Sequence, residues 1–244
     1  MFRPTLRVSR ALSSHAYLPP TPKGPPTAPG APAGGAALPI SPQPEQHPGT
    51  TGSPSLTPEQ RRLLEEIVRV DHAGELGANW IYRGQKWGSA VRGDGKTVGQ
   101  VEEMWENERH HLSVMTKVAA QHNVRPTALY PVWQGLAWGM GAVTALMGKE
   151  AAMACTEAVE TVIGEHYDDQ LRDLKPVLEE NAKKANPDPS LPLLANILEE
   201  FRDDELEHLD FAVEEGALKA PGHSLLSAAI GAACKIGITV AQKV

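Results

Sequence analysis

Glu205 and His208 stand three residues apart in the stretch FRDDELEHLDF, residues 201–211. A helix turns about 100° per residue, so positions i and i+3 share one face. A carboxylate and an imidazole held that way can bind one transition-metal ion. Glu108 and His111 repeat the spacing. Taken in chain order with Glu75 and Glu160, the pattern is a lone Glu followed by Glu-x-x-His, given twice. Carboxylates bridge two cations, and a single imidazole on each leaves coordination positions open for dioxygen.

The spacing alone carries little weight. With 21 Glu and nine His in 244 residues, about 0.8 Glu-x-x-His matches are expected by chance. The weight comes from context. Both matches fall in long helical segments, and the lone Glu precedes its partner by 33 residues in one case and 45 in the other, which suits two helical hairpins. This is the ligand set of a ferritin-like di-metal carboxylate bundle, with a lone Glu from each of two helices and Glu-x-x-His from each of the others.

Several residues compete for these roles. Glu106 and His110 form an i, i+4 pair one step round the same helix and read as its solvated side. Glu157 is an alternative to Glu160, which is preferred for its register with Gly164, a small residue leaving room beside a metal. His72, one turn before Glu75, suits a hydrogen bond behind the ligands. Asp71, Asp204 and Glu207 are candidates to orient the ligand imidazoles, and Tyr167 to line the pocket.

These residues need helices to hold them. Thr57-Pro58-Glu59-Gln60 is a helix start with a capping box, and the helix should run to about Ala90, before the Gly93-Asp94-Gly95 turn. A second is expected from about Thr97 to His122, closed by Arg125-Pro126. Residues 126–148 carry no charge. A single membrane crossing there would separate the two halves of the ligand set, so this stretch reads as an apolar crossover helix with a lipid-facing surface. Further helices are expected over 149–182, 193–217 and 225–241, with Pro187-Asp188-Pro189 and Pro192 marking the break before the second, and the last apolar nearly all round and read as a core or membrane-contacting helix. The fold class is therefore all-α, a four-helix bundle with additional apolar helices.

The remaining sequence is of another kind. Twelve of the 21 prolines lie between Pro19 and Pro54, a composition that cannot bury enough surface to fold, so 19–54 reads as a disordered linker. Residues 1–18 carry Arg3, Arg7 and Arg10 and no acid, which is the composition of a mitochondrial transit peptide. Residues 55–244 are left as the one folded domain. The net charge of −7 argues against a nucleic-acid partner. Cys155 and Cys234 make no metal or disulfide motif and read as buried, inert thiols.

The strings VDHAGELGAN (70–79), EMWENERHHL (103–112), GKEAAMACTEAVE (148–160), HYDDQ (166–170) and FRDDELEH (201–208) resemble the mitochondrial demethoxyubiquinone hydroxylases of ubiquinone biosynthesis. The resemblance runs from about Arg69 to the C-terminus. It implies a non-haem di-iron monooxygenase whose iron ligands fall on Glu75, Glu108, His111, Glu160, Glu205 and His208. It also implies two Fe ions, dioxygen as co-substrate, NADH as reductant and a polyprenyl quinone as substrate. The place it implies is the matrix face of the mitochondrial inner membrane, held peripherally, with a lipid-binding protein of the biosynthetic complex as partner. Glu157 departs from the family pattern, which would have an apolar residue there. The competing reading is a ferritin-like ferroxidase, which uses the same carboxylates but has no need of two long uncharged segments.

Overall fold

The computed structural model describes residues 56–243; the transit-peptide and linker readings lie outside them. The described residues form six α-helices, α1 (Pro58–Val91), α2 (Gly95–Gln121), α3 (Tyr130–Met147), α4 (Lys149–Ala182), α5 (Ser190–Glu214) and α6 (His223–Ala241), with a short 3₁₀ turn at Ala217–Lys219 and no strand. Helices α1, α2, α4 and α5 make a ferritin-like four-helix bundle. α1 packs on α2 and α4 on α5, giving two hairpins, and α3 is the long connection between them.

The helix starts follow local chemistry. The Thr57 hydroxyl accepts from the Gln60 backbone N–H at 3.2 Å, and the Gln60 side chain accepts from the Thr57 N–H at 3.0 Å. α2 begins two residues earlier than expected, because Asp94 caps it by accepting from the Thr97 N–H at 3.1 Å. α5 begins at Ser190 rather than Leu193, and ends at Glu214 rather than Ala217. Pro192 is no break: it sits in the first turn, where its missing N–H has no intrahelical acceptor to lose. Asp188 fixes this start, accepting from both the Ser190 N–H and hydroxyl, while Asn181 at the end of α4 bonds the Asp188 backbone in both directions.

α1 and α3 touch backbone to backbone. A Cβ at Gly84 would lie 2.2 Å from the Trp138 carbonyl oxygen, and one at Gly141 only 2.0 Å from that of Ile81. Glycine is what lets the helices approach so closely. The apolar segment 126–148 is thus tied lengthwise to the bundle. α6 is not a core helix. Only Ile230 and Ala241 are buried. It lies along α4, with His223 near Glu157, Gly231 against Val162 and Lys235 near Glu165, so the two helices run parallel. By length and composition α6 could cross a membrane. Here it lies on the flank of the bundle.

Candidate metal centre

The six acids and imidazoles of the repeated motif all point inward and meet in the middle of the bundle. Each is at most 5% exposed, among the least accessible polar residues described. Asn79 stitches α1 to α2 at this level. Its amide donates to the Glu75 carbonyl at 3.0 Å and to the Glu108 carbonyl at 2.6 Å, and its oxygen accepts from the Trp105 indole. The helices are thereby locked in the register that sets Glu75 beside Glu108.

Two overlapping groups result. Glu75, Glu108, His111 and Glu205 can bring one ligand atom each within 4.8 Å of one another, and so can Glu108, Glu160, Glu205 and His208. Glu108 and Glu205 belong to both. Glu205 shows how: its Oε1 is 3.3 Å from His111 Nδ1 and its Oε2 is 3.3 Å from His208 Nδ1. His111 Nδ1 is also 3.6 Å from Glu75 Oε2, and His208 Nδ1 is 3.1 Å from Glu108 Oε1. Motif spacing along a helix could not assign these shared roles, which depend on how the helices face one another.

Both imidazoles turn Nδ1 inward and Nε2 outward. His111 Nε2 is 3.0 Å from Asp204, and His208 Nε2 is 3.4 Å from the Asn107 amide. Of the three acids that could orient an imidazole, Asp204 does so. Glu207 is exposed, and Asp71 bonds Gln170 instead. Phe201 stacks on His111 with ring centroids 3.9 Å apart. Tyr167 donates to Glu75 at 2.5 Å, and Tyr82 donates to Glu160 at 2.8 Å. Tyr82 lies outside the repeated Glu and Glu-x-x-His pattern, although Glu-x6-Tyr occurs at both lone glutamates and marks it.

The inner atoms are short of partners. Glu75 Oε2, both Glu108 oxygens, Glu205 Oε2 and the Nδ1 atoms of His111 and His208 are buried with no hydrogen bond. Burial, then the Glu205 charge, pushes the Glu108 carboxyl up to about 8. Burial also raises Glu160, with Glu205 and Glu108 adding to it. For Glu205, burial is outweighed by its contacts with both imidazoles, which hold it down to about 2. Four carboxylates and two imidazoles that converge in the core, all but Glu160 with an unpartnered atom, are the donor set that suits two divalent transition-metal cations.

The competing residues lie elsewhere. Glu106 is exposed and pairs with Arg109. Glu157 turns to α6, where its Oε2 lies 3.1 Å from His223 Nε2 and accepts from the Ser227 hydroxyl at 2.9 Å. The charge at this unusual position therefore has its own partners. His72 lies 3.3 Å from the Thr116 hydroxyl and serves no ligand. Gly164 faces Leu206 of α5, which a Cβ there would meet in ordinary contact at 3.5 Å, and no ligand side chain lies among its near neighbours. Cys155 is buried as expected, but Cys234 is only half-buried; burial pushes both thiols up to about 12.

A cavity of about 170 Å³ leads to the centre. Glu75, Glu160 and Glu205 line it together with Tyr167. Its walls are apolar residues of α1, α3, α4 and α6, among them Ile81, Trp133, Leu136, Met140, Ile163 and Ile238. Leu136 is 62% exposed, so the cavity reaches the surface beside α3.

The profile of the family described as ubiquinone biosynthesis protein COQ7 matches residues 62–241. A Caenorhabditis elegans protein named NADPH-dependent 3-demethoxyubiquinone 3-hydroxylase, mitochondrial, is 45% identical over 186 residues, 76% of this chain and 92% of its own. The Saccharomyces cerevisiae 5-demethoxyubiquinone hydroxylase, mitochondrial, is 40% identical over 193 residues, covering 78% and 82%. The Rhodospirillum rubrum 3-demethoxyubiquinol 3-hydroxylase is 41% identical over 188 residues, covering 77% and 81%. With the profile spanning most of the chain and relatives of this identity matched over most of their lengths, the chain belongs to the COQ7 family of ubiquinone biosynthesis proteins.

Proposed function

We propose that this chain is a demethoxyubiquinone hydroxylase, a di-iron monooxygenase that adds one oxygen to the ring of a polyprenylated ubiquinone precursor. One observation carries the reading. Of the six inward-facing acids and imidazoles, five carry a buried atom with no hydrogen bond, and Glu75, Glu160 and Glu205 close the inner end of an apolar cavity that reaches the surface beside α3. Glu75 and His111 would hold one iron and Glu160 and His208 the other, with Glu108 and Glu205 serving both. Bound iron supplies the redox chemistry that reduces dioxygen and delivers one oxygen atom to the ring.

The chain's own residues do the rest. Tyr82 and Tyr167 fix the rotamers of Glu160 and Glu75. Asp204 fixes the His111 ring so that Nδ1 faces inward. The apolar walls admit a quinone ring and exclude bulk water. Electrons come from a reduced nicotinamide. NADH is the donor that the resemblance implies, and the names of the animal relatives specify NADPH.

A polyprenyl quinone is nearly insoluble in water, so the enzyme must take it from a bilayer. α3 exposes Val132, Leu136, Val143, Leu146 and Met147, and α6 exposes Leu225 and Ile236. These faces seat the bundle on the lipid surface with the cavity turned toward it. The setting is the matrix face of the mitochondrial inner membrane. Residues 1–18 serve as transit peptide, 19–54 as linker and 55–244 as the hydroxylase domain. A lipid-binding protein of the biosynthetic complex assists quinone transfer. The test is to purify the full chain in detergent and measure iron per chain and extractable quinone. Two irons with quinone are expected, and loss of iron in Glu160→Ala and His208→Ala. Metal without lipid would point instead to a ferroxidase, and full iron in both variants would refute the ligand assignment.

A further inference from the structure

The cavity carries polar groups that the metal centre does not use. Asp71 and His166 line its wall. Gln170 joins them: its amide nitrogen lies 2.6 Å from Asp71 Oδ1 and 2.9 Å from His166 Nε2. An amide nitrogen only donates, so both atoms accept. An imidazole Nε2 accepts only in the neutral tautomer that carries its proton on Nδ1. Burial works in the same direction, holding His166 below its ordinary value. The His166 Nδ1–H is therefore left as a donor.

Asp71 is 3% exposed, and its second oxygen, Oδ2, has no hydrogen-bond partner; nor has Gln170 Oε1. Leaving a buried acceptor unpaired is costly, and no described residue relieves it. The other polar groups on the wall outside the metal centre do not compete. The Trp133 indole donates to Thr127, the Tyr167 hydroxyl donates to Glu75, and the Cys234 thiol is a weak donor.

Position decides what the pair can serve. Asp71 precedes Glu75 by four residues on α1, about 6 Å along the axis. His166 adjoins Tyr167, which bonds Glu75. The cluster is thus about one substituted ring away from the metal ligands, on the wall of the same cavity. We propose that Asp71, Gln170 and His166 form a subsite that hydrogen-bonds a ring oxygen of the quinone or quinol head group and so fixes which ring carbon faces the metal centre. A carbonyl oxygen accepts from His166 Nδ1–H. A hydroxyl accepts there and donates to Asp71 Oδ2. These are positioning residues, and the assignment rests on the hydroxylase reading above.

Binding to the metal-free full chain tests the subsite without turnover. The probes are a short-tailed demethoxyubiquinone and a prenol of equal tail length. The wild-type chain should prefer the quinone, and His166→Phe and Asp71→Leu should each reduce that preference by about 10-fold. His166→Asn, which keeps a donor where Nδ1 stood, should restore much of it. In the iron-loaded forms, product formed per dioxygen consumed should fall by about 10-fold in His166→Phe at unchanged iron content. An unchanged preference and unchanged coupling in both variants would overturn the subsite while leaving hydroxylation intact. Loss of iron in proportion to activity would overturn it too, by making the cluster a support of the metal centre. A wild-type chain that neither prefers nor converts the quinone would overturn the hydroxylase reading, and the subsite with it.

Discussion

Tyr167 donates its hydroxyl hydrogen to Glu75 across 2.5 Å, from α4 to α1. The relationship is reciprocal. Tyr82 on α1 donates to Glu160 on α4 at 2.8 Å. Each tyrosine lies seven residues beyond the lone glutamate of its own helix, two turns on and on the same face. The helices thus hold each other's carboxylates. Tyr167→Phe or Tyr82→Phe should fold normally and still bind metal, with affinity for ferrous ion reduced by about 10–100-fold. Competition with a chelator of known affinity reads this directly. An unchanged affinity in both variants would show that the carboxylates are held by other means.

Asp204 and Glu207 make a matched pair for a second test. Asp204 bonds the outer nitrogen of His111, while Glu207 is exposed. Asp204→Ala should weaken metal binding by about 10-fold or more, and Glu207→Ala should not change it. Equal effects would mean that surface charge, not ring orientation, is what matters.

The metal-free centre holds protons that a metal must displace. Burial and the neighbouring Glu205 push Glu108 up to about 8. Burial would lower His208, but contacts with Glu108 and Glu205 outweigh it and raise the ring to about 11. These coupled groups together hold protons at neutral pH that must leave before the carboxylate and the ring can act as ligands. Metal binding should therefore release protons, and apparent affinity should rise between pH 6 and 8. Calorimetry in buffers of different ionisation enthalpy measures the release. The metal-free fold should move the opposite way. His208 contributes stability fully only below its unfolded value of about 6.5, and loses it as pH climbs through the folded value. Glu108, also raised on folding, costs stability increasingly as pH rises from its unfolded value of about 4.3 to about 8. The melting temperature of the metal-free chain should fall between pH 7 and 9, and a rise would contradict the proton assignment.

The contact between α1 and α3 is sensitive to a single methyl. Gly141→Ala would place Cβ 2.0 Å from the Ile81 carbonyl oxygen, with backbone on both sides that cannot easily yield. It should destabilise the fold by about 1–3 kcal/mol, lowering the melting temperature by several degrees. Gly139→Ala is the control, since nothing lies within 4 Å of its Cβ. It should be neutral or stabilising by up to about 1 kcal/mol. Similar losses in both would mean that the helices are not in close backbone contact.

The six converging residues and both hairpins were legible in sequence because helical periodicity fixes which side chains share a face. Thr57 and Gln60 marked the start of α1 because capping is local chemistry. What was not legible depends on how faces meet. That Glu108 and Glu205 belong to both halves, and that Asp204 rather than Asp71 backs an imidazole, follows from the angles between helices. Gly164 suggested space beside the metal centre but packs on Leu206. Pro192 suggested a break but occupies a first turn. The composition of α6 was compatible with a core position, and only its packing on one side of α4 reveals that most of it is exposed.

We propose that this centre puts an oxygen atom on a quinone ring. The direct measurement is mass spectrometry of the quinone after incubating the iron-loaded full chain with demethoxyubiquinone, a reduced nicotinamide and isotopically heavy dioxygen. A product heavier by one labelled oxygen atom is expected from the wild-type chain and not from Glu160→Ala. An iron-loaded wild-type chain that consumes dioxygen yet leaves the quinone mass unchanged would contradict it.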